Sequence, residues 1–244
     1  MIKLLDASAY DTDKAKMTHY LRNYEQWFES LWDQPVGLLE LGVHRGGSML
    51  LWRDYFTKGT IVGLDFNRVK LEDPTGRIHL YQGEQQDLAL LDRIAAETAP
   101  KGFDIIIDDA SHLGELTRIS FWHLFDNHLK PGGLYIIEDW GTGYWKKWPD
   151  GSAYQPAPDA RAQPGRKHVV RKLFGRRASE FANRKNSLPS HSSGMVGFVK
   201  QLVDECGMGD VTLPGWGIGA PRESQFERMH ISHGQVMVQK RTRA

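Results

Sequence analysis

Residues 103–112 read FDIIIDDASH and residues 132–139 read GGLYIIED, and these two stretches decide the fold. Each is an apolar, β-branched run of strand length that breaks off in acidic residues. Runs of this kind are strands buried on both faces, as in a parallel sheet. Each therefore carries carboxylates to its C-terminal end, where open α/β sheets bind their ligands. If the two strands are neighbours, Asp108, Asp109, His112, Glu138 and Asp139 share one cleft. Carboxylates crowded in that way repel one another unless a cation holds them. The pattern predicts a divalent metal site with a histidine base beside it.

Outward from this pair, the alternation continues. VGLLELG (36–42), TIVGLDF (60–66) and RIHLYQG (77–83) read as further strands, and GGSMLLWRDYF (46–56), DLALLDRIAAET (87–98) and residues 114–128 as the helices between them. Strict alternation predicts an α/β fold: a doubly wound, Rossmann-like, mostly parallel sheet with helices on both faces. Residues 14–32 place His19, Tyr20, Tyr24, Trp27, Phe28 and Leu31 at helical spacing, which predicts an amphipathic helix that packs on the sheet or covers a ligand. Residues 140–167, rich in Trp, Gly and Pro, are expected to form a long loop. A basic helix is expected at 167–185 and another helix within 187–207. Residues 228–241 should form one or two strands that close the sheet. The whole chain, 1–244, is read as a single domain with an N-terminal helical cover at about 10–33 and an acceptor-binding insertion at about 140–195.

With 31 basic and 30 acidic side chains and a net charge of +1, the chain as a whole has no electrostatic case for nucleic acid or a membrane surface. One cysteine, Cys206, excludes an intramolecular disulfide framework and points to a reducing, cytoplasmic setting. No apolar run is long enough to span a bilayer, and no signal-peptide pattern opens the chain.

ELGVHRGGS, Glu40 to Ser48, lies between a strand and a helix, where glycines let backbone amides approach a ligand at a helix N-terminus. Its spacing is not the GxGxxG of a dinucleotide site, and no GK[ST] phosphate loop occurs. A nucleoside ligand without a pyrophosphate fits better, and Asp65, ending the next strand, is placed to accept hydrogen bonds from ribose hydroxyls. The same glycines could instead serve tight strand–helix packing.

Glu40 to Ser48, Asp65, QGEQQD (82–87), DDASH and IIED together resemble a class I S-adenosylmethionine-dependent methyltransferase. More narrowly, residues 10–145 resemble the metal-dependent sugar O-methyltransferases of macrolide biosynthesis, the macrocin and mycinamicin type, and the related cephalosporin hydroxylase-like proteins. TDKAKMTHY (12–20) is similar to that group's opening motif. The resemblance implies that Glu40, Gly42, Gly46, Gly47 and Ser48 surround the methionine and ribose of S-adenosylmethionine, that Asp65 binds the ribose, and that Glu84 and Gln85 lie near the adenine. Glu84 departs from the Gly-Asp-Gln more often found there. Asp109, Glu138 and Asp139 would hold Mg2+ or Mn2+, His112 would be the general base, and Thr12, Asp13 and Lys14 would close over the cofactor.

Such a set suits O-methylation. An aliphatic hydroxyl is almost un-ionised at neutral pH; a hard cation on its oxygen lowers the pKa, and a histidine accepts the proton. All-oxygen ligation favours Mg2+ or Mn2+ over Zn2+, and an iron oxygenase would want two histidines and a carboxylate. The expected acceptor is a small molecule, a sugar in particular, handled by a protein that could be a homo-oligomer. Trp140, Tyr144, Trp145 and Trp148 are an acceptor platform or simple loop packing. The nine lysines and arginines of 161–185 are a solvated face or a site for an acidic acceptor; an RNA methyltransferase and a non-catalytic cofactor-binding protein are the rival readings. His191, His230 and His233 form no zinc pattern. Asp139 could also be a capping residue.

Overall fold

The computed structural model describes residues 6–152 and 192–242. Seven strands form one sheet: β1 (Gly37–Leu41), β2 (Thr60–Asp65), β3 (Ile78–Gln82), β4 (Phe103–Asp108), β5 (Leu129–Glu138), β6 (Phe226–Ile231) and β7 (Gln235–Lys240). Their order is β3-β2-β1-β4-β5-β7-β6. The first five strands pair in parallel, while β7 is antiparallel to β5 and β6 is antiparallel to β7. The expected Rossmann-like, mostly parallel sheet is therefore present, and the chain's end adds two strands as a hairpin.

Helices α1 (Thr18–Phe28) and α2 (Gly47–Tyr55) cover one face; α3 (Leu88–Thr98), α4 (Gly114–Asn127) and α5 (Gly194–Cys206) cover the other. Alternation along β4 divides the core. Ile106 packs with Leu91, Phe121 and Phe198 on one face, and Ile105 and Ile107 pack with Tyr24, Met49 and Trp52 on the other. No described helix is long and apolar enough to cross a membrane.

Several boundaries differ from the sequence reading. The N-terminal helix begins at Thr18 rather than residue 14, because Thr12 accepts from the Lys14 amide and closes a separate 3-10 turn at Asp13–Ala15. Strand β5 starts at Leu129, ahead of the glycine pair, with Gly132 at φ 78° beside the irregular β4–β5 register. Residues 140–152 are not a plain loop. They form a 3-10 turn at Trp140–Tyr144 and a helical turn at Pro149–Ser152, held by the Thr142 amide on the Asp139 carbonyl and the Ser152 amide on the Trp148 carbonyl. The basic helix expected at 167–185 lies outside the described residues, as does most of the insertion expected at 140–195.

Candidate functional site

The parallel strands end their C-termini on one cleft of about 700 Å3. Its floor is the β1–α2 turn. Gly42 stands at φ 89°, and a Cβ there would fall 2.1 Å from the Asp109 carbonyl oxygen, so only glycine lets the ends of β1 and β4 meet so closely. Gly46 adopts a left-handed conformation as the N-cap of α2. A Cβ on Gly47 would lie 2.0 Å from the Asp11 carbonyl oxygen, so the N-terminal segment is seated directly on this turn.

Asp65, at the end of β2, braces the turn. One of its oxygens accepts from the Val43 and His44 amides at 2.9 and 2.8 Å, and the other from the Asn67 amide at 2.7 Å. Exposed Phe66 follows it at the cleft wall. Glu84 and Gln85 line the cleft too, in different settings. Glu84 is exposed and accepts from Gln86, whereas Gln85 is buried, donates to Asp108 and Ser120, and accepts from the Ser111 amide. Gln85 thereby ties the exit of β4 in place.

At the other side of the cleft stand the acidic strand ends. Asp108 points into the core, where Gln85, Ser120 and Tyr135 donate to it and burial raises its pKa. Asp109 points the opposite way, as strand alternation requires. Asp109, His112 and Asp139 offer ligand atoms within 4.8 Å of one another. His112 Nε2 is 4.0 Å from Asp109 Oδ1, and His112 Nδ1 is buried without a hydrogen-bond partner. Among the described residues, the non-glycine positions with positive φ are His44, His112 and Asp139, at 52°, 53° and 53°. All three line the cleft, and strain held at such positions by the surrounding fold is characteristic of functional sites.

Two predicted site residues, Glu40 and Glu138, lie one layer deeper. Glu40 accepts from Trp52 Nε1 at 3.0 Å, and Glu138 accepts from the Tyr24 hydroxyl and from Gln235. Lys14 joins them to Asp109. Its ammonium, only 2% exposed, is 2.6 Å from Asp109 Oδ2, 2.9 Å from Glu138 Oε2 and 3.2 Å from Glu40 Oε1. Burial alone would push its pKa down, but Asp109, Glu138 and Glu40 outweigh this and hold it well above the usual lysine value. Burial in turn pushes Asp109 up to about 7 and Glu138 up to about 8, against the opposing pull of Lys14. Three carboxylates around one ammonium thus share protons near neutrality, and their combined charge becomes net negative only as these protons leave.

Helix α1 supplies groups that the sequence pattern did not assign to the site. The Tyr20 hydroxyl donates to Asp139 Oδ1 at 2.6 Å, and the Tyr24 hydroxyl to Glu138. From the aromatic segment after β5, Trp148 Nε1 donates to the His112 carbonyl at 3.2 Å, while Trp145 stays largely exposed. The helical spacing of Tyr20 and Tyr24 was legible, but not that their hydroxyls reach past the apolar face to the carboxylates.

No protein-family model matches the chain. Individual relatives do. Over 147 residues it is 42% identical to the mycinamicin VI 2''-O-methyltransferase of Micromonospora griseorubida, a match covering 57% of this chain and 36% of that protein. Over 186 residues it is 32% identical to the 8-demethyl-8-alpha-L-rhamnosyl tetracenomycin-C 2'-O-methyltransferase of Streptomyces olivaceus, covering 73% of this chain and 46% of that protein. The solved structure of the MycE methyltransferase from the mycinamycin biosynthetic pathway, in complex with Mg and SAH, superposes with a TM-score of 0.70 at 30% identity. That match covers 98% of this chain and 54% of the other. The chain thus spans about half the length, or less, of the relatives it matches. The resemblance to sugar O-methyltransferases read from its motifs recurs in both the sequence and the structure comparisons, over part of each relative's length.

Proposed function

We propose that this protein transfers a methyl group from S-adenosylmethionine to a hydroxyl of a sugar or glycosylated natural product, with a divalent cation assisting. The observation that carries this reading is the meeting of Asp109, His112 and Asp139 at one wall of the cleft, opposite a glycine turn braced by Asp65. Relatives named as sugar O-methyltransferases, and a structural neighbour solved with Mg and SAH, support it.

S-adenosylmethionine would lie along the turn from Gly42 to Ser48, with Asp65 and exposed Phe66 at its ribose and adenine end and Glu84 and Gln85 beyond. The donor set fits a hard cation: Asp109 and Asp139 face the cleft, and Glu138 lies behind them under Lys14. A divalent ion there, Mg2+ or Mn2+, lowers the pKa of a bound acceptor hydroxyl. Were Asp109 and Glu138 to hold such an ion, Lys14 would have to give up its contacts with their oxygens. His112 Nε2 accepts the hydroxyl proton; the Trp148 and Thr142 side chains, both donating to its carbonyl, hold the strained backbone that aims the ring. Asp109 Oδ1, 4.0 Å from that nitrogen, would favour the positive charge the imidazole gains with the proton. Trp145 and the segment from 140 to 195 would receive the sugar, within a single domain covered by residues 10–33. The lone Cys206 accords with a cytoplasmic site of action.

The test pairs calorimetric titration of S-adenosylmethionine with an assay of methyl transfer to glycosides, on the wild type, His112→Ala and Asp109→Asn. Binding in all three with turnover confined to the wild type is the expected result. Absence of cofactor binding in the wild type would overturn the reading.

A further inference from the structure

Asp92, His123 and His128 meet on the side of the sheet away from the cleft. Asp92 belongs to α3 and His123 to α4, and His128 is the C-cap of α4, immediately before β5. The site thus sits at the N-terminal end of β5, whereas the cleft lies at the strands' C-terminal ends. His123 Nε2 is 2.7 Å and His128 Nε2 2.6 Å from the same oxygen, Asp92 Oδ1. All three ligand atoms lie within 4.8 Å of one another.

The positions of the two imidazoles are set by the fold. His128 donates its amide to the Leu124 carbonyl and accepts from the Phe103 amide at 2.7 Å, which locks it between α4 and β4. The His123 carbonyl accepts from Asn127 Nδ2 at 2.9 Å. Both rings are mostly buried, with side-chain exposures of 16% and 20%, while Asp92 is 54% exposed. Two lysines that line the adjoining groove are engaged elsewhere. Lys130 is paired with Asp104 at 2.8 Å, and Lys240 caps the carbonyl of Leu129 at 3.0 Å. A groove of about 660 Å3 runs beside Asp92 and His128 and leaves room for water or another small ligand.

We propose that Asp92, His123 and His128 form a second metal site, for Zn2+ or a neighbouring first-row transition ion. Two imidazole nitrogens and one carboxylate oxygen are the donors such ions select, in contrast to the oxygen donors of the cleft. Tetrahedral zinc with ligands at about 2.0–2.1 Å needs donor separations of roughly 3.3 Å. Asp92, the exposed member, must move about 0.6–0.7 Å further from both imidazoles to give that spacing. Each ring binds through Nε2 as a neutral imidazole with its one remaining proton on Nδ1, by tautomerisation of a neutral ring or by loss of one proton to solvent from an imidazolium; water fills the open position, and the ion bridges α3 and α4. This site stands independently of the methyltransferase reading.

The test titrates Co2+ as a spectroscopic stand-in, in excess Mg2+, into the wild type, His123→Gln/His128→Gln, Asp92→Asn and Asp109→Asn/Asp139→Asn. One equivalent of Co2+ with visible d–d absorption should bind the wild type and the Asp109/Asp139 variant alike. Affinity should fall by about tenfold or more in the histidine and Asp92 variants. Circular dichroism confirms that each variant is folded. Unchanged Co2+ binding in the histidine variant, loss of the signal in the Asp109/Asp139 variant, or no absorption in the wild type would each overturn the proposal.

Discussion

Replacing Lys14 by methionine tests the electrostatics of the cleft most directly. Methionine keeps the unbranched length of the side chain and removes little besides the ammonium. What it leaves behind is Asp109, Glu138 and Glu40 without the cation that now sits 2.6, 2.9 and 3.2 Å from their oxygens. Removing one partner of a buried ion pair costs about 3–5 kcal/mol. The lower end applies at neutral pH, because Asp109 and Glu138 titrate near 7 and 8 and take up protons once the ammonium is gone. For a chain of this size, about 3 kcal/mol corresponds to a fall in Tm of roughly 6–12 °C.

Metal binding moves in the opposite direction. In the wild type a divalent ion competes with Lys14 for Asp109 and Glu138, and in Lys14→Met it does not. The variant should therefore bind Mg2+ about tenfold more tightly or better, a gain of ~1.4 kcal/mol or more. Scanning calorimetry in chelator and in Mg2+, with isothermal titration of Mg2+, reads both effects. A variant that melts within about 2 °C of the wild type in chelator, or that binds Mg2+ no more tightly, would refute the placement of Lys14 as the cation of this site.

Three further outcomes follow from the same geometry. Because Asp109 and Glu138 are raised to about 7 and about 8, folding holds their protons more tightly than the unfolded chain does; the stability they contribute is complete at acid pH and is lost as pH rises through those values. In chelator, stability should decline from about pH 4 to about pH 8 at up to ~1.4 kcal/mol per pH unit per group and level off above that, and Mg2+ should flatten the decline; a metal-free Tm that rises over this range contradicts the charge balance. Gly42→Ala should destabilise the protein by more than ~2 kcal/mol and abolish S-adenosylmethionine binding in a calorimeter, since the new methyl meets the Asp109 carbonyl at 2.1 Å. Asp65→Asn leaves one acceptor oxygen for the amides of Val43, His44 and Asn67, so the turn should lose about 1–3 kcal/mol and weaken cofactor binding while Mg2+ affinity stays unchanged.

The sheet was legible because its determinants are local. FDIIIDD and GLYIIED carry their β-branched runs and acidic stops in consecutive residues, and the Gly42 turn announces itself by composition. Where local pattern failed, a cap or a pairing partner was responsible. The Thr12 turn delays α1, and β5 reaches back to Leu129 because Phe103 across from it supplies a partner. Asp65 illustrates a subtler failure. Its position at the end of β2 was readable, but its bonds to three turn amides depend on the fold of residues 43–67.

Lys14 shows most clearly what a linear reading cannot contain. The pattern places it at the start of an amphipathic helix, and the resemblance of TDKAKMTHY implies only that it closes over the cofactor; neither identifies a buried cation. Its burial comes from three strand ends, at Glu40, Asp109 and Glu138, which converge only when β1, β4 and β5 lie side by side. Pairing alone does not make burial of such charges favourable, because desolvation costs several kcal/mol per ion. Under the proposed function, the lysine has a role beyond stability: it holds the three carboxyl groups in place around a single cation. On that account the segment from Asp11 to Lys14, seated on Gly47 beside the cofactor turn, responds to metal at one end and to S-adenosylmethionine at the other. The two ligands should then influence each other's affinity through it, by equal factors in both directions.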